Sequence, residues 1–281
     1  MTLIPGKQYD LCIICMNDII ADARALNIAR TINRAGNKVC IITHYPAKKE
    51  KIANLEGIDI YNINKSVSGR LAMRWIRFHR KAVKAGRELS ASYYLAADLY
   101  SLPAALKLAA EQKKFLYYDS REIYSALASL AKRPWAQRIL AILEKRWVKS
   151  VDKIIVSGEL DAEYLKENLA ADKPYYVVMN VPPYNFKPES NKIREKYPQI
   201  TAGKMILIYQ GMISEGRGIG SIVRALPYLE EFVLFVIGQG DYTQVVIDTA
   251  ESLNVDARVI IHGMVPYNEL PLWTCSADIG I

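Results

Sequence analysis

Short apolar runs alternate with longer amphipathic stretches along almost the whole chain, and no other feature limits its folding options so strongly. Runs at 11–16, 39–43, 58–63, 93–96, 115–118, 153–156 and 176–179 have strand length. Stretches at 22–35, 69–89, 101–111, 134–149 and 159–168 carry helical periodicity between them, the first closed by Gly36. Near-continuous apolar strands separated by helices predict a mainly parallel sheet covered on both faces. Pro182, Pro183 and Pro188 then cluster in a linker. After it the pattern restarts, with strands at 205–209, 232–237 and 259–262 and helices at 219–226, 242–253 and 269–276. A last strand opens at Asp278 and the sequence stops inside it. The expectation is an α/β protein of two Rossmann-like domains, 1–185 and 186–281, the second incomplete.

Hydrophobic residues make up 51% and charged residues 23%, which excludes intrinsic disorder. No apolar run approaches the roughly 18–20 residues of a membrane-spanning helix, and residues 1–10 lack an apolar signal region. Four cysteines in 281 residues do not make a disulfide framework. A soluble protein of a reducing compartment is expected.

The charge is local. Lys65, Arg70, Arg74, Arg77, Arg80, Lys81, Lys84 and Arg87 lie in one stretch without an acid, so the net +8 of the chain is the charge of that segment. At about 100° per residue, Leu71, Trp75, Phe78, Ala82 and Leu89 share one stripe, and Arg70, Arg74, Arg77, Lys81 and Lys84 fall opposite. The apolar stripe is expected on the sheet, leaving the basic face, Arg80 included, to meet an anionic membrane surface or simply water. Nucleic acid is set aside, because no aromatic-interleaved binding motif accompanies the patch.

Ligands of open parallel sheets sit beyond the carboxyl ends of the strands. After the strand at 205–209 comes Gln210-Gly211-Met212-Ile213-Ser214-Glu215-Gly216-Arg217-Gly218-Ile219-Gly220. Such a loop either lets backbone N–H groups approach a phosphate at a helix start, with Arg217 adding a charge-assisted bond, or merely makes a tight turn. Gly238-Gln239-Gly240 closes the next strand in a similar way, but Thr243 stands where a dinucleotide fingerprint needs its third glycine. Asp119-Ser120-Arg121-Glu122 follows the strand at 115–118, either as part of a site or as a solvated turn capped by Asp119 or Ser120. Asp18, Asp22 and Arg24 occupy the first strand–helix loop, with Asp22 a candidate N-cap.

Several chemistries are set aside. His44, His79 and His262 are scattered without metal-ligand spacing. No Gly-x-Ser-x-Gly elbow, Gly-Lys-Ser/Thr phosphate loop or Asp-x-Asp pair occurs. Cys12 and Cys15 have C-x-x-C spacing but lie in a strand, where they point to opposite faces.

These motifs, in this order, resemble the GT-B glycosyltransferases of family 4. Asp22-Ala23-Arg24 with Gly36 and Val39 is similar to the family's opening "D-x-R … G-x-x-V". Asp98-Leu99 with Leu102-Pro103-Ala104-Ala105 resembles its "H-D-L … L-P-A-A". Tyr118 to Glu122 resembles "Y-D-x-H-E", Ile155-Val156-Ser157 its "I-x-V-S", and Asn180-Val181-Pro182 its "N-x-P" at the domain joint. Gln210-Gly211, Arg217-Gly218, Gly238-Gln239-Gly240, His262-Gly263-Met264-Val265 and Ala277-Asp278 continue in family order.

The resemblance implies two domains facing each other across a cleft. It also implies transfer of a sugar from a nucleotide-sugar donor to a cell-surface glycan or glycolipid acceptor, with retention of anomeric configuration. It places Arg217 against the donor diphosphate in place of a metal ion, so that neither a metal nor a cofactor is expected. Gly211, Gly218, Gly238 and Gly240 line the nucleotide-sugar side, with Met264 and Val265 at the nucleobase. Asp18, Asp22, Arg24 and Asp98 face the acceptor and the transferred sugar, and Arg121 and Glu122 stand at the catalytic position. Many members use lipid-linked acceptors, which suits a peripheral location on the cytoplasmic face of the cell membrane.

Two departures stand out. Arg121 replaces the family's histidine, which puts in doubt any role carried over from that histidine. The Glu-x7-Glu donor helix expected beyond Asp278 is absent, so this stretch alone is expected to be inactive. A non-catalytic GT-B-like membrane- or partner-binding module is the alternative, and a dinucleotide-dependent enzyme a weaker third.

Overall fold

A computed structural model describes residues 7–19, 22–44, 54–63, 71–127, 130, 133–170, 172–181, 189–266 and 269–281, apart from the side chains of residues 71 and 72. Lys65, Arg70 and the three linker prolines lie outside the described residues. The chain divides into two compact units, Met1–Val181 and Pro182–Ile281.

The first unit runs β1 (Gln8–Cys15), α1 (Ala23–Arg34), β2 (Val39–Thr43), β3 (Asn54–Leu55), β4 (Ile58–Asn62), α2 (Leu71–Arg87) and β5 (Ser90–Ala96). It continues through α3 (Leu102–Gln112), β6 (Phe115–Ser120), α4 (Pro134–Val148), β7 (Lys153–Val156), α5 (Glu159–Asn168) and β8 (Tyr175–Val177). The strands form one sheet in the order β3-β4-β2-β1-β5-β6-β7-β8. Every pairing is parallel except the β3–β4 hairpin, which turns through Glu56 and Gly57 with positive φ. That hairpin is missing from the sequence reading because Asn54 and Leu55 make no apolar run.

β1 lies at the centre, with Leu11 in register with both Val39 and Tyr93. Its period of two sends Cys12 and Ile14 into one core and Leu11, Ile13 and Cys15 into the other. The two thiols therefore point apart, as expected, and both are free. Phe78 and Ala82 of α2 and Leu102, Ala105 and Leu108 of α3 fill the first core, whereas Ala25, Leu26 and Ala29 of α1 fill the second.

The basic helix α2 departs from expectation at one residue. Phe78 and Ala82 are buried, and half-buried Trp75 donates through Nε1 to the Tyr100 carbonyl at 2.7 Å. Arg74, however, is only partly exposed, with its Nε buried and unpaired among the described residues, so it is not on the solvent face. At about 100° per residue Arg74 lies only about 40° round the helix from Phe78, at the rim of the packed stripe. Arg77, Arg80, Lys81 and Lys84 are exposed, together with Met73 and Ile76.

The second unit contains α6 (Lys192–Lys196), α7 (Pro198–Thr201), β9 (Met205–Gln210), α8 (Ile219–Ala225) and β10 (Phe232–Ile237). It ends with α9 (Thr243–Ser252), β11 (Val259–Gly263), α10 (Leu270–Thr274) and β12 (Ile279–Gly280). Its sheet is wholly parallel in the order β11-β10-β9-β12. Ile219, Val223, Val246 and Ala250 cover one face, and Ile193 and Trp273 cover the other around Phe235. Asp278 fixes the entry to β12: its Oδ2 accepts from the Ile206 amide at 2.6 Å and pairs with Arg194 at 2.7 Å. The short helices α6 and α7 have no counterpart in the sequence reading. Among the described residues, no helix is long and apolar enough to cross a membrane.

Candidate functional site

Where the strand order of an open parallel sheet reverses, a crevice forms beyond the carboxyl ends. In the first unit that place is β1, between β2 and β5. Asp22 caps α1 there, its Oδ1 accepting from the Ala25 amide at 3.0 Å. Its other oxygen, Oδ2, takes Arg121 Nη1 at 2.6 Å and the Cys15 thiol at 3.3 Å. Arg121 also reaches Asp119 Oδ2 through Nε at 3.1 Å. Arg24, in the first turn of α1, grips Asp119 with Nε at 2.8 Å and Nη2 at 2.7 Å, and its Nη1 donates to the Val178 carbonyl at 2.6 Å.

Two arginines and two aspartates thus form one buried network joining α1, β6 and the segment after β8. Asp119 is completely buried inside β6, which overturns the solvated-turn reading: the strand runs two residues further than its apolar run because Arg24 and Arg121 neutralise the carboxylate. Burial pushes the Asp22 carboxyl up, but the Arg121 charge and hydrogen bond outweigh it and hold the group below the usual range. Burial likewise works against the Arg121 charge, and the Asp22 and Asp119 carboxylates more than reverse it.

Asp98 follows β5 at the same edge. Its Oδ1 accepts from the Ser101 amide at 2.6 Å, and burial drives its carboxyl above the ordinary aspartate range. Its Oδ2 is buried with no partner among the described residues, and so is Nη2 of Arg121. A buried acceptor and a buried donor left open near one sheet edge are suited to hydroxyl groups of a ligand. Glu122 is exposed and Asp18 half-exposed.

Of two further buried groups, the sequence reading missed one and set the other aside. Glu144 of α4 accepts from the Tyr118 hydroxyl at 2.7 Å, and burial raises its carboxyl to about 7. His44, just past β2, is buried with both ring nitrogens unpaired among the described residues, and burial followed by the charges of Arg74 and Lys81 keeps it below the ordinary histidine value.

In the second unit the order reverses at β9, between β10 and β12. The glycine-rich loop leaves the end of that strand. Gly211, Gly216 and Gly218 all have positive φ, at 151°, 85° and 81°, and a Cβ would meet no close atom at any of them. All three residues are exposed, and so is Arg217, which lies between Gly216 and Gly218 without a side-chain partner among the described residues.

Gly238 and Gly240 differ. A Cβ would lie 1.8 Å from the Gly211 carbonyl oxygen at Gly238 and 1.9 Å from that of Ile213 at Gly240. Amides of Gly211 and Ile213 donate to Ile237 and Gln239 carbonyls at 2.9 and 3.1 Å across the same gap. Both glycines are accounted for by two loops packed backbone to backbone. Met264 is exposed, and Val265 packs partly against the core around Phe235. Among the described residues, no group of three His, Cys, Asp or Glu side chains is placed to hold a metal ion.

No protein-family description and no curated protein matches the sequence. Solved structures do match its fold. Sucrose-phosphate synthase from Thermosynechococcus elongatus superposes with a TM-score of 0.78 at 13% identity, over 98% of this chain and 74% of that one. The HepE protein of Anabaena, solved in complex with UDP and glucose, gives 0.70 at 13% identity over 97% and 73%. A glycosyltransferase from Rickettsia africae gives 0.66 at 15% identity over 96% and 72%. The fold is the α/β fold of the GT-B glycosyltransferases.

Proposed function

We propose that this protein is a glycosyltransferase that moves a sugar from a nucleotide-sugar donor to a glycan or glycolipid acceptor with retention of configuration. The carrying observation is the loop after β9, where exposed Arg217 sits between Gly216 and Gly218, at which a Cβ would meet no atom and a ligand can come close. The fold, and a similarly folded protein described as holding UDP and glucose, support that reading.

Sugar transfer leaves charge on the departing nucleoside diphosphate. Preorganised donors aimed at that charge lower the barrier, and a guanidinium with open amides serves where no metal does. Arg217 supplies the guanidinium, and Gly211 and Gly218 the open approach. Met264 and Val265 stand at the nucleobase by resemblance alone. On the first unit, Asp98 and the open Nη2 of Arg121 take hydroxyls of the acceptor or the transferred sugar. Asp22, Asp119 and Arg24 position Arg121. Glu122 remains a candidate at the reacting centre. The acceptor is lipid-linked, and exposed Arg77, Arg80 and Lys84 of α2 bring the enzyme to the cytoplasmic face of an anionic membrane.

Calorimetric titration with UDP, GDP and ADP tests this. One of them binds, and Arg217→Ala weakens the binding by more than about tenfold. Absence of binding by all three overturns the donor site. The exposed basic face of α2 also favours a second reading, a non-catalytic membrane-binding module, which predicts salt-sensitive vesicle binding with no nucleotide binding.

A further inference from the structure

The face of α4 turned to solvent carries both grease and charge. Trp135, Ile139 and Ile142 are 65%, 48% and 68% exposed. At about 100° per residue they share an arc of roughly 120° with Arg138, Lys145, Arg146 and Lys149, all exposed. Arg133, just before the helix, is exposed as well. The helix has one acid, Glu144, and it points inward to Tyr118. None of Arg138, Lys145, Arg146 and Lys149, the last just after the helix, is ion-paired among the described residues. α2, with exposed Met73 and Ile76 beside its own cations, covers the same face of the sheet, and Trp75 meets Trp147 of α4 at 5.7 Å between ring centroids.

We propose that α4 is a membrane-docking helix that lies in the surface of an anionic bilayer, inserting Trp135, Ile139 and Ile142 while its arginines and lysines stay at the headgroups. Interleaved apolar and basic side chains on one narrow convex arc fit that interface: long cationic stems reach up to phosphates while the apolar groups go down. A second copy of the chain is disfavoured, because it would set two strongly positive faces against each other. Nucleic acid gains nothing from three large apolar side chains turned towards its phosphates. The inference deepens the membrane part of the proposed function and moves the inserting element from α2 to α4.

Flotation with vesicles of phosphatidylcholine and phosphatidylglycerol, at about seven to three, tests it. Wild type floats at low salt, does not float with pure phosphatidylcholine, and shows a blue-shifted tryptophan emission on binding that Trp135→Phe abolishes. The double variant Ile139→Ser/Ile142→Ser binds at least about tenfold more weakly with an unchanged melting temperature, because both positions are exposed. Arg77→Ser/Arg80→Ser/Lys84→Ser keeps the blue shift. Wild type that fails to float, or an α4 double variant that floats like wild type, overturns the proposal. So does a concentration-dependent dimer lost in the double variant, which assigns the face to a second copy. UDP titration of the same variant separates the readings: vesicle binding lost with UDP binding retained is a membrane defect alone.

Discussion

Arg121 Nη1 lies 2.6 Å from Asp22 Oδ2, so a residue at the end of β6 holds the N-cap of α1. The same guanidinium reaches Asp119 at 3.1 Å. The GT-B family that the sequence resembles carries histidine here, and an imidazole has neither the length nor the donors for both contacts. One buried carboxylate would lose its Arg121 contact, leaving Asp22 with the Ala25 amide and Cys15 thiol alone, or Asp119 with Arg24 alone. Arg121→His is therefore expected to lower folding stability by about 2–4 kcal/mol. Urea unfolding of the two proteins decides it, and equal midpoints would show that Asp22 and Asp119 do not need Arg121.

Arg24 and Asp119 make the tightest pair in the network, with three side-chain contacts between 2.7 and 3.1 Å. Removing one partner leaves a desolvated charge, which costs far more than the intact pair contributes. Arg24→Met is expected to cost about 3–5 kcal/mol, and adding Asp119→Leu to recover a large part of it. A double variant no more stable than the single would mean that packing, not charge, sets the loss.

Glu144 gives the fold a pH dependence of known sign. Burial raises it to about 7, against the working of hydrogen bonds from Tyr118 and Ser120, from an ordinary value of 4.5. Between those values the folded chain holds a proton that the unfolded chain has released. The associated stability is complete below about pH 4.5 and is lost as the pH rises through about 7. Glu144→Gln keeps an oxygen for the Tyr118 hydroxyl and removes the titration. It is expected to flatten stability between about pH 5 and 7, and to stabilise by up to about 3 kcal/mol near pH 8. Denaturation midpoints across that range check it, and a wild-type slope that survives in the variant places the titrating group elsewhere.

Much of the architecture is legible in the apolar runs, because a parallel strand buried on both faces needs an unbroken run and its crossover helix needs a stripe. The elements that escape are those without either: the β3–β4 hairpin at Asn54 and the short helices after Asn191. The site was harder to read. Asp119 looks like the polar end of a strand, and only Arg24, 95 residues away, makes it a buried anion. Glu144 stands beside Lys145 and Arg146 and reads locally as surface, yet it faces Tyr118, 26 residues away. Pairings of that range are set by the sheet order, which local periodicity does not contain.

The glycines of the second unit make the last prediction, because two of them look alike in sequence and differ in kind. At Gly216 the backbone is left-handed, with φ at 85°, but a Cβ meets nothing. An alanine there carries only the intrinsic penalty of that conformation, about 1–2 kcal/mol. At Gly238 a Cβ falls 1.8 Å from the Gly211 carbonyl oxygen, a backbone atom that cannot swing aside. The loops after β9 and β10 must then separate, breaking the Gly211 amide's bond to Ile237 and displacing the backbone next to Arg217. Gly238→Ala is expected to cost more than about 3 kcal/mol and to abolish nucleotide binding in whatever fraction still folds, whereas Gly216→Ala keeps most of both. Thermal unfolding and UDP titration of the two variants separate the cases. A Gly238→Ala protein that melts and binds like wild type would show that the two loops are not packed together in solution.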